Sequence, residues 1–151
     1  MAALGLTVAV RSRKEVPGAD TQVYLSDTLN EMGLFLRLAE VVVLGGAFGP
    51  LIGRAPVGGP NPLEPARLAR PTLTGPDMSN WSIAGAMAEA GGLKILTDLS
   101  RLAPRVAELL ANPAQARVLG RQAEQAAAGA DGGLEVLWQA MAPLLPPAGG
   151  R

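Results

Sequence analysis

Residues 41–66 read Val41-Val42-Val43-Leu44-Gly45-Gly46-Ala47-Phe48, then a Gly/Pro-rich stretch to Val57, then Gly58-Gly59-Pro60-Asn61-Pro62-Leu63-Glu64-Pro65-Ala66. A β-branched apolar run that stops at two glycines is a buried strand ending in a turn. Every residue from Val41 to Leu44 is apolar, as in a central strand buried on both faces. Asn61 is placed as an N-cap, Pro62 at the first helical position, and Glu64 in the first turn, where the helix dipole favours a carboxylate. The stretch therefore predicts strand, glycine loop, helix start. In open α/β sheets the crevice at the carboxyl ends of the strands is where ligands bind. Gly45-Gly46 would let a backbone approach a ligand closely, but turn glycines alone have the same appearance, and both readings stand. Gly49 to Val57 is long for an α/β connection, and such loops are often functional or mobile.

Bulk composition narrows the chemistry. The chain has 151 residues, enough for one domain with a core, and 48% are apolar, which argues for a folded chain. Thirteen basic and thirteen acidic residues cancel, so there is no footprint of a nucleic-acid partner. Cysteine is absent, which removes disulfides, thiolate nucleophiles and zinc–thiolate sites. Histidine is absent too, which removes Ser-His-Asp and Cys-His devices and imidazole metal sites from this chain. Acid–base chemistry must then come from carboxylates or from another chain or domain. Glycines, prolines and charges interrupt each apolar run before it reaches membrane-spanning length, and the N-terminus lacks a basic leader. The expectation is a soluble or peripheral protein.

Strand and helix signals alternate along the chain. Leu4 to Val10 and Val23 to Leu25 read as strands, separated by a basic cluster, Arg11 to Lys14, and a turn at Pro17 to Asp20. That cluster is either a solvated rim or an anion contact. Thr28 and Glu31 have capping-box spacing before a helical period in Met32, Leu34, Phe35 and Leu38. Glu31 is either that cap or a polar ligand contact at the helix start. A helix from Asn61 to Ala69 ends at Arg70-Pro71. Thr72 to Thr74 is a strand closed by Gly75-Pro76-Asp77. Asn80 to Ala90 is helical and stops at Gly91-Gly92. Leu93 to Leu96 is the last strand. Helices follow from Asp98 or Ser100 to Ala111, from Ala114 to Ala128 after Asn112-Pro113, and from Leu134 to Leu145 with Leu137, Trp138, Met141 and Leu144 inward. Residues 146–151 form a frayed, disordered tail. Five short strands alternating with helices predict an α/β fold, a Rossmann-like parallel sheet flanked by helices.

Four ordered motifs resemble those of the 3-deoxy-D-manno-octulosonic acid (Kdo) transferases. Asp27-Thr28-Leu29-Asn30-Glu31-Met32-Gly33-Leu34-Phe35-Leu36-Arg37-Leu38-Ala39 resembles that family's D-T-x-G-E-[LM]-G-L-x-Y-R-L-A segment. Val43 to Phe48 resembles F-x-G-G-S-L, Gly58 to Ala66 resembles G-G-H-N-P-L-E-P-A, and Gly75-Pro76 with Asn80 resembles G-P-x-x-x-N-F. The resemblance implies part of the C-terminal domain of a GT-B glycosyltransferase, an enzyme with two Rossmann-like domains and a cleft between them. It implies transfer of Kdo from the donor CMP-Kdo to the lipid A precursor in lipopolysaccharide core synthesis, at the cytoplasmic face of the bacterial inner membrane. On this reading residues 1–145 are a partial nucleotide-sugar-binding domain. Glu31, Gly45, Gly46, Asn61 and Glu64 are the donor-binding residues, with Glu64 accepting the ribose hydroxyls and backbone N–H groups at Gly45-Gly46 holding phosphate or the sugar carboxylate. No catalytic residue, metal or cofactor is implied within this chain, since a nucleoside monophosphate donor has no pyrophosphate for a metal to neutralise. The acceptor site, the membrane attachment and the catalytic carboxylate belong to an N-terminal domain that the chain lacks.

Four departures accompany the match. Pro60 stands where the family has His, Asn30 replaces Gly, and Ala47 replaces Ser; the loop from Phe48 to Gly58 is also longer than the pattern. The chain reads as a truncated product, a fragment or one piece of a split enzyme, and is expected not to transfer Kdo alone. The alternatives are a catalytically inactive remnant or nucleotide-binding module, and an interaction domain whose open sheet edge pairs with a separate N-terminal chain. An exposed edge and apolar helix faces would make the chain marginally stable or oligomeric.

Overall fold

The computed structural model describes residues 4–129 and 132–145. The chain divides into two compact units, residues 1–35 and residues 36–151.

The first unit is built on a parallel pair, β1 (Val8–Val10) and β2 (Val23–Leu25), with Val8 opposite Val23 and Val10 opposite Leu25. The connection between them is a 3₁₀ turn, Arg11–Arg13, and a hydrogen-bonded loop. Ser12 anchors that turn to the segment after β2: its N–H and hydroxyl donate to Asp27 at 2.9 and 2.6 Å. The rings of Tyr24 and Phe35 meet with centroids 6.0 Å apart, tilted by 55°. Helix α1 (Met32–Leu38) carries the chain onward.

The second unit holds three parallel strands in the order β3 (Val42–Leu44), β4 (Thr72–Thr74), β5 (Lys94–Ile95). Both crossovers contain a helix, α2 (Leu63–Ala66) and α3 (Ile83–Glu89), the usual way of joining parallel strands. The run expected to be the central strand lies at one side of this sheet. Val42 and Leu44 are buried, but Val43 is 39% exposed. The central strand is β4, and all three of its residues are buried. A strand with two threonines can take that place because both hydroxyls find partners: Thr72 donates to Arg70 O at 3.0 Å and Thr74 to the Met78 sulfur at 3.1 Å.

Alternation along β4 sorts the core onto the two faces of the sheet. Leu73 packs with Leu109 and Leu119, which come from α4 (Leu102–Ala111) and α5 (Pro113–Ala128). Thr72 and Thr74 are in register with Val42 and Leu44. Those two join Ala47, Ala66, Met87, Leu93 and Ala123 in the larger cluster. The α4–α5 break follows the expected chemistry: Asn112 Oδ1 accepts from Gln115 N–H at 3.2 Å, with Pro113 opening the next helix.

Three local expectations need correction. The helix predicted over residues 61–69 is a single turn, α2, because the Leu68, Ala69 and Arg70 N–H groups turn back to Pro65 O, Ala66 O and Pro65 O instead of continuing the α ladder, and Ala69 takes a left-handed φ of 51°. The stretch after Gly45-Gly46 is largely a 3₁₀ run, Gly45–Ile52, with Ala47 and Phe48 buried. In the last helix, α6 (Gly132–Met141), Leu137, Trp138 and Met141 are exposed, as is Leu144 beyond it, because no other described element covers that face. The predicted tail at residues 146–151 lies outside the described residues. Among the described residues no helix is long and apolar enough to cross a membrane.

Candidate functional site

The carboxyl ends of β3 and β4 converge on one patch of backbone. A Cβ on Gly75, just past β4, would lie 2.2 Å from Ala47 O and 2.6 Å from Phe48 N, so only glycine lets these segments meet. The contact is sealed by Asp77 N–H donating to Ala47 O at 3.2 Å. Gly45 and Gly46 are exposed where β3 ends. Gly46 faces the ring of Pro60, which would lie 3.4 Å from an added Cβ. The glycine pair and the Gly58-Gly59-Pro60-Asn61 turn are therefore neighbours.

That turn is held from below. Gly58 and Gly59 have φ of +85° and +69°, which side chains rarely adopt, and a Cβ on Gly58 would fall 2.1 Å from the Asn80 side chain. Asp77, 7% exposed, accepts the N–H groups of Val57 and Gly58 on Oδ2 at 2.7 and 2.8 Å, and the Ser79 hydroxyl on Oδ1 at 2.9 Å. Asn80 Nδ2 donates to Val57 O at 3.1 Å, and Trp81 Nε1 donates to Gly59 O at 3.0 Å. The Gly58 N–H, helped by the Ser79 hydroxyl and the Val57 N–H, holds the Asp77 carboxyl below the ordinary aspartate value although burial opposes this.

On top of this support Asn61 does two jobs. Its Oδ1 accepts the Leu63 N–H at 2.9 Å, and its Nδ2 donates to Glu64 Oε1 at 3.2 Å. Glu64 is exposed, so its carboxylate is presented to solvent in an orientation set by Asn61. Of the five residues singled out in the sequence, four (Gly45, Gly46, Asn61 and Glu64) thus lie on the second unit, at the strand ends.

Glu31 lies in the first unit and is engaged there. Arg11 Nε donates to both carboxylate oxygens at 3.0 and 3.1 Å, Arg11 Nη2 lies 2.6 Å from Oε1, and the Thr28 hydroxyl donates to Oε2. The guanidinium first, then Thr28, lowers the Glu31 carboxyl below its ordinary range; Glu31, followed by Tyr24, raises Arg11 further. Of the basic cluster, Arg11 is thus an ion-pair partner.

Asp77 and Trp81 were not singled out from the sequence, and Asn80 was noted only as part of a motif. The available signal was the Asp-x-Ser-Asn-Trp run that follows the Thr72–Thr74 strand after Gly75-Pro76. Cavities of about 270 Å³ beside Arg70 and Leu109 and of about 460 Å³ beside Lys94 and Arg101 include none of Gly45, Gly46, Asn61 or Glu64; Gly45, Gly46 and Glu64 are exposed, and together with Asn61 they form a surface shelf. Among the described residues no group of three or more acidic side chains is placed to hold a metal ion.

No protein-family model matches the chain. It is 34% identical over 123 residues to the 3-deoxy-D-manno-octulosonic acid transferase of Bordetella pertussis, a match covering 80% of this chain and 27% of that protein. The namesake of Haemophilus influenzae is 30% identical over 108 residues, 71% of this chain and 24% of the relative. The chain thus spans about a quarter of the length of these curated relatives. Among solved structures, the C-terminal CMP-Kdo binding domain of WaaA from Acinetobacter baumannii superposes with a TM-score of 0.75 at 31% identity, covering 83% of this chain and 63% of that domain. Parallel, helix-flanked strands with glycines at their carboxyl ends give the chain the α/β fold of a GT-B C-terminal domain. The chain belongs, by that domain, to the 3-deoxy-D-manno-octulosonic acid transferase family.

Proposed function

We propose that this chain is the donor-binding portion of a Kdo transferase, which moves Kdo from CMP-Kdo to the lipid A precursor in lipopolysaccharide core synthesis. The observation that carries the reading is the Asn61–Glu64 pair. A carboxylate oriented by a neighbouring amide, exposed beside two glycines at the strand ends, suits a ribose diol, whose two hydroxyls each donate a hydrogen bond. Backbone N–H groups at Gly45 and Gly46 suit the phosphate or the sugar carboxylate. These contacts bind and orient the donor. The acceptor site, the catalytic carboxylate and the attachment to the cytoplasmic face of the inner membrane are assigned to a separate N-terminal acceptor domain.

Calorimetric titration with CMP tests this. The wild-type chain is expected to bind, and Glu64→Gln to bind at least tenfold more weakly. A hydrogen bond to a charged group is worth about 1.5–3 kcal/mol, and 1.4 kcal/mol is about tenfold. Equal affinity of a folded Glu64→Gln variant would overturn the assignment. One observation favours a second reading, an inactive remnant that keeps a nucleotide-shaped crevice but not a working pocket: an apolar ring, Pro60, stands against Gly46 where the family motif carries histidine. Wild-type protein that fails to bind CMP would support it.

A further inference from the structure

We infer that Asp77 is the positioning residue of the donor shelf, fixing the turn at residues 57–61 and through it the presentation of Asn61 and Glu64. The inference rests on the assignment of that shelf to CMP. Asp77 does not face the ligand side. It is 7% exposed and spends both oxygens on protein: Oδ2 takes two consecutive backbone N–H groups, Val57 and Gly58, and Oδ1 takes the Ser79 hydroxyl. Two adjacent N–H groups that converge on one oxygen require a sharply bent backbone, and Gly58 at φ +85° supplies the bend. Two residues later the chain reaches Pro60 and Asn61, and the Asn61 amide then orients Glu64. Asp77 also belongs to the segment whose own N–H is tied to Ala47 O, one residue beyond Gly46. Asp77 thus joins the two glycine-bearing pieces of the shelf, by its carboxylate on one side and its backbone N–H on the other. Without it, two backbone donors would lose their acceptor, and the turn would be left to the Asn80 and Trp81 contacts alone.

The chemistry of the contacts separates positioning from bulk stability. An asparagine keeps the geometry: its carbonyl oxygen in the place of Oδ2 accepts both N–H groups, and its NH₂ in the place of Oδ1 donates to Ser79 Oγ, which switches from donor to acceptor. An alanine keeps nothing. The test uses the full chain, with CMP as the probe, and follows amide hydrogen exchange of residues 50–62 alongside titration. Asp77→Ala is expected to speed exchange at Val57 and Gly58 and weaken CMP more than tenfold, while exchange in β4 and α5 stays at the wild-type rate. Asp77→Asn is expected to restore both readouts to within about threefold. Glu64→Gln is expected to lose affinity with exchange at Val57 and Gly58 unchanged. Should Asp77→Ala fail to fold, Ser79→Ala, which removes one of the three contacts, takes its place with a smaller change in the same direction. Protected amides in Asp77→Ala, or accelerated amides with full CMP affinity, would overturn the inference. Wild-type protein that ignores CMP would instead sink the shelf assignment, and the exchange data would still decide whether Asp77 holds the turn.

Discussion

At Asp77 one carboxyl group meets two backbone donors and a hydroxyl, and this sets a pH dependence. Its folded-state value lies below the ordinary 3.8, with the Gly58 N–H as the leading cause. The stabilisation is therefore fully present above the unfolded value and is lost as pH falls below 3.8 toward the folded value. Thermal melts from about pH 6 to about pH 3 are expected to show a steeper acid decline for wild type than for Asp77→Asn, because the amide has no proton to take up. Parallel curves would contradict the assignment. Glu31, lowered by Arg11, adds a decline of the same sign in the first unit, so the wild-type minus Asp77→Asn difference is the informative quantity. Asn61, Glu64 and the two glycine pairs could be read from their motifs. Asp77 could not, because its role depends on meeting Val57 and Gly58, about twenty residues earlier in the chain.

Among the elements, α5 crosses the end of α2 at Gly120, where a Cβ would stand 2.0 Å from Ala69 O. Ala69 itself holds φ of 51°. Helix propensity alone favours alanine over glycine at a position such as 120 by about 1 kcal/mol. Here the clash wins: Gly120→Ala is expected to lower stability by roughly 1–3 kcal/mol, the usual cost of overpacking. Ala69→Gly is expected to raise it by roughly 0.5–1 kcal/mol, since left-handed backbone costs an L-residue more than glycine's entropy. Urea midpoints of the two variants, moving in opposite directions, would bear this out. Most elements could be placed from periodicity and caps: five strands, the Asn112-Pro113 break and the Gly91 stop stand where the sequence puts them. The α2 turn is shorter than its N-cap signal suggested because the chain closes on itself at residues 68–70, with Ala69 in the left-handed region.

At the scale of the whole molecule, exposed apolar side chains are spread along the described residues, and α6 carries several of them. Trp138 is 58% and Leu137 54% exposed on α6, with Met141 on the next turn. An apolar face of this kind favours self-association in isolation. Sedimentation velocity is expected to show concentration-dependent association, reduced in a Leu137→Ser, Trp138→Ser double variant. A single species at all concentrations for wild type would argue against it. Inward packing was the natural reading of that periodicity, since a sequence shows that a helix has an apolar face but not whether anything stands over it.

The amino-acid order alone carried the fold class and the family motifs, because strand alternation, proline and glycine geometry and short capping motifs act over a few neighbouring residues; it also marked Gly45, Gly46, Asn61 and Glu64 as candidates, which the fold gathers near the strand ends. Only the tertiary structure decided that β4 is the central strand, that Glu31 is bound by Arg11, and that Asp77 ties the glycine turn in place. Each of these is a contact between residues distant in the chain, and local chemistry carries no record of which segments a parallel sheet brings side by side.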